Sequence, residues 1–248
     1  MEILYEDNHI IIVNKAPGEI VQGDKTGDEP LVETLKHWIK EKYSKPGNVF
    51  CGVVHRLDRP VGGVVVFAKT SKALARMNEM FRDGKVDKTY LALSRNHPPK
   101  DSERLTGYIY SVEKNNKSYI SLTPRNGAKE AALSYRYLGA SDRYHLLEVN
   151  LETGRKHQIR VQLSSIGCPV KGDLKYGDKR SNPDGSISLQ AHRVRFEHPV
   201  SGKLIDVTAP LPADPLWRAF VGIVSENDAK ASVSADADGS TVTYNDED

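Results

Sequence analysis

The chain is poor in the residues that carry several common chemistries. It has two cysteines in 248 residues, Cys51 and Cys168, far apart and in no paired motif. That excludes a disulfide framework and a cysteine zinc site, and it fits a reduced, cytoplasmic setting with both thiols as small core residues. No apolar run approaches the roughly 18 residues of a membrane span. The opening MEILYEDNHIIIV lacks the basic flank and cleavage site of a secretory signal. There is no Walker A loop, no G-x-S-x-G elbow and no H-E-x-x-H. The eight histidines are scattered without ligand spacing, so no metal is expected. Net charge is only +2, but it is unevenly spread. Residues 225–248 hold seven acids and one lysine, or −6, which leaves +8 on residues 1–224. The acidic stretch has few large apolar side chains and reads as a disordered tail. A basic body suits a polyanionic partner, although +8 is equally ordinary for a soluble domain.

What is present is a pattern of hairpins with helices between them. ILYEDNHIIIVNKAPG reads as two short strands around a turn at Asp7-Asn8. PLVETLKHWIKEKY reads as a helix, with Leu31, Leu35, Trp38, Ile39 and Tyr43 on one stripe. VVVFA is a strand. SKALARMNEMFRDG is a second helix, with Thr70 as N-cap and Gly84 just past its end. VDKTYLAL is a strand, and residues 100–130 look polar and irregular. ALSYRYLG and YHLLEVNLETG alternate like a hairpin pair, and RKHQIRVQLSSIG reads as a third helix. QAHRVRFEHPVSGKLIDVTAP is another hairpin with its turn at Ser201-Gly202, and DPLWRAFVGIV a short closing helix. The class this implies is α+β, in one domain over 1–224 followed by the tail at 225–248.

Three constellations carry chemistry. In HRLDRP, an extended chain puts Arg56 and Asp58 on one face and His55 and Leu57 on the other, and Pro60 keeps Arg59 extended. A guanidinium beside a carboxylate favours the ionised form, which suits a nucleophile or an electrostatic role. A structural ion pair capping a strand explains the same residues. In VDKTYLAL, Leu91 and Leu93 share one strand face and Tyr90 the other, where its ring is either a stacking platform or a tyrosine packed under a helix. In TGRKHQIRVQL, Ile159, Leu163 and Ile166 form the buried stripe, and Arg155, Lys156 and His157 crowd the first turn. Cations at that already positive end attract phosphate, or else they are simply solvated. Arg160 lies beside the buried stripe, within reach of an internal carboxylate. A glycosidase would need a second facing carboxylate, and no spacing pairs Asp173 or Glu152 with Asp58.

Taken together, HRLD, KTYLAL and TGRKHQIRVQL resemble the RluA-type family of RNA pseudouridine synthases. The opening ILYEDNHIIIVNKAPG, GCPVKGDLKYG and the closing LQAHRVRFEHPVSGKLIDVTAPLP extend the likeness from about Ile3 to Pro212. The resemblance implies a mixed, largely antiparallel sheet flanked by helices around a central RNA-binding cleft. It implies an isomerase that breaks the N-glycosidic bond of a uridine in transfer or ribosomal RNA, turns the base and rejoins it through C5, with no cofactor and no metal. Asp58 is then the catalytic aspartate, acting at base C6 or at the ribose. Tyr90 stacks on the base, and Arg160 pairs with Asp58. Arg56 fills the gap left by the flipped nucleotide, and His55, Arg59, Arg155, Lys156 and His157 serve RNA binding. Many relatives continue HRLD-x-x-T-S-G, where this chain has Val61 and Gly62. Many also carry an N-terminal S4 module, whereas this chain opens on the catalytic motifs, so recognition is expected from the catalytic domain itself. The expected partner is RNA, with no membrane, and the expected state a monomer. The rival is an RNA-binding protein or chaperone that keeps the fold without turnover.

Overall fold

The computed structural model describes the backbone of residues 1–238 and the side chains of residues 1–231. Eleven strands form one sheet: β1 (Glu2–Glu6), β2 (Ile10–Lys15), β3 (Gly52–Val53), β4 (Gly62–Ala68), β5 (Asp87–Ser94), β6 (Ser102–Val112), β7 (Lys117–Ser121), β8 (Lys129–Ala140), β9 (His145–Leu151), β10 (Leu189–Glu197) and β11 (Leu204–Thr208). The helices are α1 (Leu31–Lys42), α2 (Ser71–Arg82), α3 (Gln158–Ser165), α4 (Pro215–Arg218) and α5 (Val221–Asp238). The spatial order is β1-β2-β4-β10-β5-β9-β8-β6-β7, with β11 on β10 and the short β3 on β4. Every pairing is antiparallel except β4 with β10.

The continuous apolar runs IIIV and VVVFA exist because both faces of the central strands are buried. Side chains alternate across the sheet. Ile11, Val13, Val65 and Phe67 point to the front, where α1 contributes Leu31, Leu35 and Ile39 and α3 contributes Ile159 and Leu163. Ile10, Ile12, Val64 and Val66 point to the back, against Ala73 and Met77 of α2. Farther along, Leu91, Leu93 and Leu146 meet Trp217 of α4, Phe220 of the turn after it and Val224 of α5 on the back. Thr70 caps α2, its hydroxyl accepting from the Ala73 amide at 3.1 Å. The expected α+β class and mostly antiparallel sheet are what the chain forms. No helix among the described residues is long and apolar enough to cross a membrane.

Three expectations are corrected. Residues 100–130 contain β6 and β7, which form an arm at the sheet's edge. They read as irregular because one face of each strand is polar or aromatic and the inward face carries few apolar residues, Leu105, Ile109 and Ile120, beside Gly107 and buried Ser118. Helix α3 begins at Gln158, not Arg155, because His157 adopts a left-handed conformation (φ 55°) that no helix can include. The chain after 224 is helical to Asp238, since Val224 enters the back core, Asn227 bonds Arg136 and Glu148, and Asp228 bonds His192. Residues 239–248, the rest of the expected disordered tail, lie outside the described residues.

Gly63 marks the parallel junction. Its φ is +113°, and a Cβ there would sit 2.1 Å from the Ala191 carbonyl oxygen. Gly63→Ala is therefore expected to cost at least about 3 kcal/mol in urea unfolding. Gly127→Ala, at φ +77° with open space around it, should cost about 1 kcal/mol. Equal costs at the two positions would contradict the close approach of β4 and β10.

Candidate active site

The loop from β3 to β4 carries Asp58, and backbone contacts fix it from three sides. Lys15, at the buried end of β2, donates through Nζ to the carbonyls of Ala16 (2.9 Å), Arg59 (3.2 Å) and Val61 (2.8 Å). Burial lowers its pKa to about 8, against the pull of Glu19 and Asp58. The Val61 amide closes a turn onto the Asp58 carbonyl at 3.0 Å, and the Ile187 amide reaches Pro60. Leu57 anchors the loop in the front core. A buried amine that satisfies three carbonyls fixes a loop that has no regular pairing of its own.

Arg160, on the inner side of α3, meets this loop. Its Nη1 donates to Asp58 Oδ2 at 2.9 Å, while Nε and Nη2 donate to Asp173 Oδ2 and Oδ1 at 2.6 and 2.9 Å. Burial works against the guanidinium charge, but the hydrogen bonds and charges of Asp173 and Asp58 outweigh it and hold its pKa above the ordinary value. Asp173 is 1% exposed, whereas the Asp58 side chain is 26% exposed. Both close contacts of Asp58, from Arg160 and His157, go to Oδ2. Oδ1 makes no hydrogen bond among the described residues, so one oxygen is anchored and the other is open.

His157 completes the back of the site. Its Nδ1 lies 2.8 Å from the Tyr176 hydroxyl, and its Nε2 lies 3.7 Å from Asp58 Oδ2. The Tyr176 oxygen also accepts from the Ser118 amide at 2.7 Å. Burial lowers the His157 pKa to about 4, with Arg160, Lys156 and Lys175 pushing the same way and Asp58 opposing them. The Tyr176 ring also lies under the Arg160 guanidinium, 5.0 Å from centroid to Cζ.

Tyr90 is 8% exposed on the front face of β5, opposite Leu91 and Leu93, as the alternation predicts. Burial raises its pKa, and the Asp58 charge raises it further, so the phenol keeps its proton. The segment after α3 is tied to the same strand. Val170 bridges Ser94, the Lys171 amide donates to Leu93, and buried Lys171 bonds Asn182 at 2.6 Å. Tyr90 and Asp173 therefore share one rigid support.

The structure brings Asp58, Tyr90, Arg160 and His157 together and places other expected site residues elsewhere. No ion pair joins Arg56 to Asp58 among the described residues; the guanidinium on Asp58 is that of Arg160. Arg56 is exposed, and Arg59 pairs with Asp28 at 2.5 Å on the surface. His55 turns away, stacked on Phe81 at 4.8 Å, with Nε2 accepting from the Val66 amide at 3.0 Å. It stands in for a missing strand neighbour and does not face solvent as a cation. His157 is likewise a neutral inward group, not a phosphate contact. Arg155 and Lys156 precede α3 and bond the Glu130 carbonyl and Asn116, and neither pairs with a carboxylate among the described residues. Lys15, Tyr176 and the Asp173 contact carried no readable sequence signal beyond their places in NKAPG and GDLKYG.

Residues 9–165 match the family described as RNA pseudouridylate synthase. The chain is 33% identical to "Ribosomal large subunit pseudouridine synthase D" of Zymomonas mobilis, over 86% of this chain and 70% of that protein. It is 29% identical to "tRNA pseudouridine synthase C" of Pectobacterium carotovorum, over 91% of this chain and 62% of that protein. Among solved structures it is similar in fold to "Human RNA Pseudouridylate Synthase Domain Containing 4". The TM-score is 0.72 at 23% identity, covering 86% of this chain and 89% of that one.

Although His55 keeps some accessible surface, burial lowers its pKa to about 3, and the Lys88 charge adds to the effect. A histidine depressed in the folded state contributes stability that is intact above its unfolded value of about 6.5 and is lost as pH falls from there toward 3. His55→Gln keeps an acceptor for Val66 but does not titrate. Denaturation between pH 7 and 4 should show a shallower loss of stability for the variant than for the parent. Parallel pH profiles would contradict the neutral, accepting His55.

Proposed function

The chain belongs to the RNA pseudouridylate synthase family, and on that premise we propose that it isomerises a uridine of ribosomal or transfer RNA, with Asp58 as the reacting carboxylate. The observation that carries this reading is the asymmetry of Asp58, anchored at Oδ2 by Arg160 and open at Oδ1. Isomerisation breaks the N1–C1′ bond and forms C5–C1′, while N1 gains a proton and C5 loses one. An attack on base C6 and an action at the ribose make the same demand, an ionised oxygen that is held still and unobstructed. Arg160 and Asp173 supply the holding. Tyr90 supplies a flat, neutral surface next to that oxygen, and its retained phenol proton is available for donation.

The target nucleotide leaves its stack to reach the site, which costs a few kcal/mol and least in loops. Exposed Arg56, one turn of the loop from Asp58, fills the vacated space. Arg155 and Lys156 meet phosphates and set register without reading sequence. The catalytic unit spans residues 1–224, extended by the start of α5. The domain acts as a monomer and needs neither metal nor cofactor, because every group that the chemistry requires is a side chain of this site.

The direct test is release of tritium from ribosomal and transfer RNA transcripts labelled at uridine C5. The parent should release tritium to water without producing free uracil. Asp58→Asn should abolish release while keeping RNA affinity within about tenfold. Tyr90→Phe keeps the ring and should lower the rate more than the affinity. Free uracil would indicate a hydrolase, and substantial turnover by Asp58→Asn would remove that residue from its role.

A further inference from the structure

The β6–β7 arm has two different faces. Its inner face belongs to the site. Ile109 and Ile120 pack with Val161 and Tyr176, and buried Ser118 bonds Tyr176 through its amide and Lys156 through its hydroxyl. Its outer face is aromatic and basic. The paired residues Tyr110 and Tyr119 stack with centroids 5.5 Å apart and planes at 21°. Arg125 lies over Tyr110 at 4.2 Å, and Lys117, at the border of the two faces, lies 5.6 Å from the Tyr119 ring and 5.2 Å from that of Tyr176. Tyr108 shares this face, and Leu122 beside it is 86% exposed. Residues 108–130 contain four cations and two acids, and Lys114, Lys117 and Arg125 form no ion pair among the described residues.

We propose that this outer face binds the single-stranded segment of substrate RNA that flanks the target uridine, with bases stacked on the tyrosine pair and phosphates on Lys117 and Arg125. The inference rests on the reading that the substrate is RNA. Charge and continuity support it. Lys156 and Lys175 both end on Asn116, at the turn of the arm, so a line of uncompensated cations runs from the entrance of the site to the arm's edge. A strand whose uridine reaches Asp58 lays its phosphates along that line. The next bases meet flat rings that already have cations over them, the arrangement that single-stranded nucleic acid favours. The paired Tyr110 of β6 and Tyr119 of edge strand β7 are half-buried and belong to no core cluster among the described residues.

The test uses a labelled oligoadenylate RNA of roughly 12 nucleotides, which has no uridine to enter the site, and reads binding by fluorescence anisotropy. Tyr110→Ala/Tyr119→Ala should weaken binding by about tenfold or more, and Tyr110→Phe/Tyr119→Phe should bind within about twofold of the parent. Lys117→Gln/Arg125→Gln should reduce the slope of log affinity against log salt by about 0.7 per cation removed. Thermal melts accompany each variant. If the alanine pair melts early, the charge pair decides, and an unchanged salt slope overturns the inference. A folded alanine pair that binds like the parent also overturns it. Tritium release by the parent is measured alongside. Release with tyrosine-independent binding sinks the arm alone, and tyrosine-dependent binding without release sinks the isomerase reading alone.

Discussion

Arg160 held between two carboxylates is the contact on which the site depends. Asp173 is sealed and takes two of the guanidinium's nitrogens, while Asp58 takes one. A buried guanidinium paired in this way has its desolvation offset, but the geometry must be kept, because removing one partner of such a pair typically costs about 3–5 kcal/mol. The three groups together carry one net negative charge, and Asp58 is the member that solvent reaches. Arg160 therefore orients Asp58 more than it neutralises it. His157, held neutral by burial, adds no second cation beside Asp58.

The rest of the fold serves that placement. Helix α3 can present Arg160 only because His157 turns left-handed just before it and Gln158 folds back, accepting from the Arg155 amide and donating to the Ala132 carbonyl. The loop of Asp58 comes to the same point through buried Lys15 and through the close parallel junction at Gly63. Asp173 arrives on a segment bridged to β5, the strand of Tyr90. Four separate stretches of chain meet at one carboxylate: β5 is part of the sheet, the Asp173 segment is bridged to it, and side-chain bonds from Lys15 and Gln158 to backbone carbonyls hold the Asp58 loop and the start of α3.

Much of this was legible in the sequence, and for physical reasons. Continuous apolar runs in IIIV and VVVFA identified the central strands, and the strand periodicity of KTYLAL placed Tyr90 opposite its leucines. The position of Arg160 beside the stripe of Ile159 and Leu163 pointed to an internal carboxylate. Edge strands with one polar face, as in β6 and β7, leave a weaker pattern and were missed. His55 and His157 read as basic, but histidine's charge depends on burial that a sequence does not display. The role of Asp173 was invisible because its partner lies 13 residues away in a different segment. Helix α5 was lost in an acidic composition, although Val224, Asn227 and Asp228 dock its start.

The central claim is that Asp173 fixes Arg160 from behind and so fixes Asp58, without touching substrate. The most direct measurement is the single-turnover rate of tritium release by Asp173→Asn at saturating protein, with RNA affinity measured separately. The expected result is a rate lowered by about a hundredfold or more, with affinity within about threefold and a folded variant by thermal melt. A rate equal to that of the parent would contradict the account.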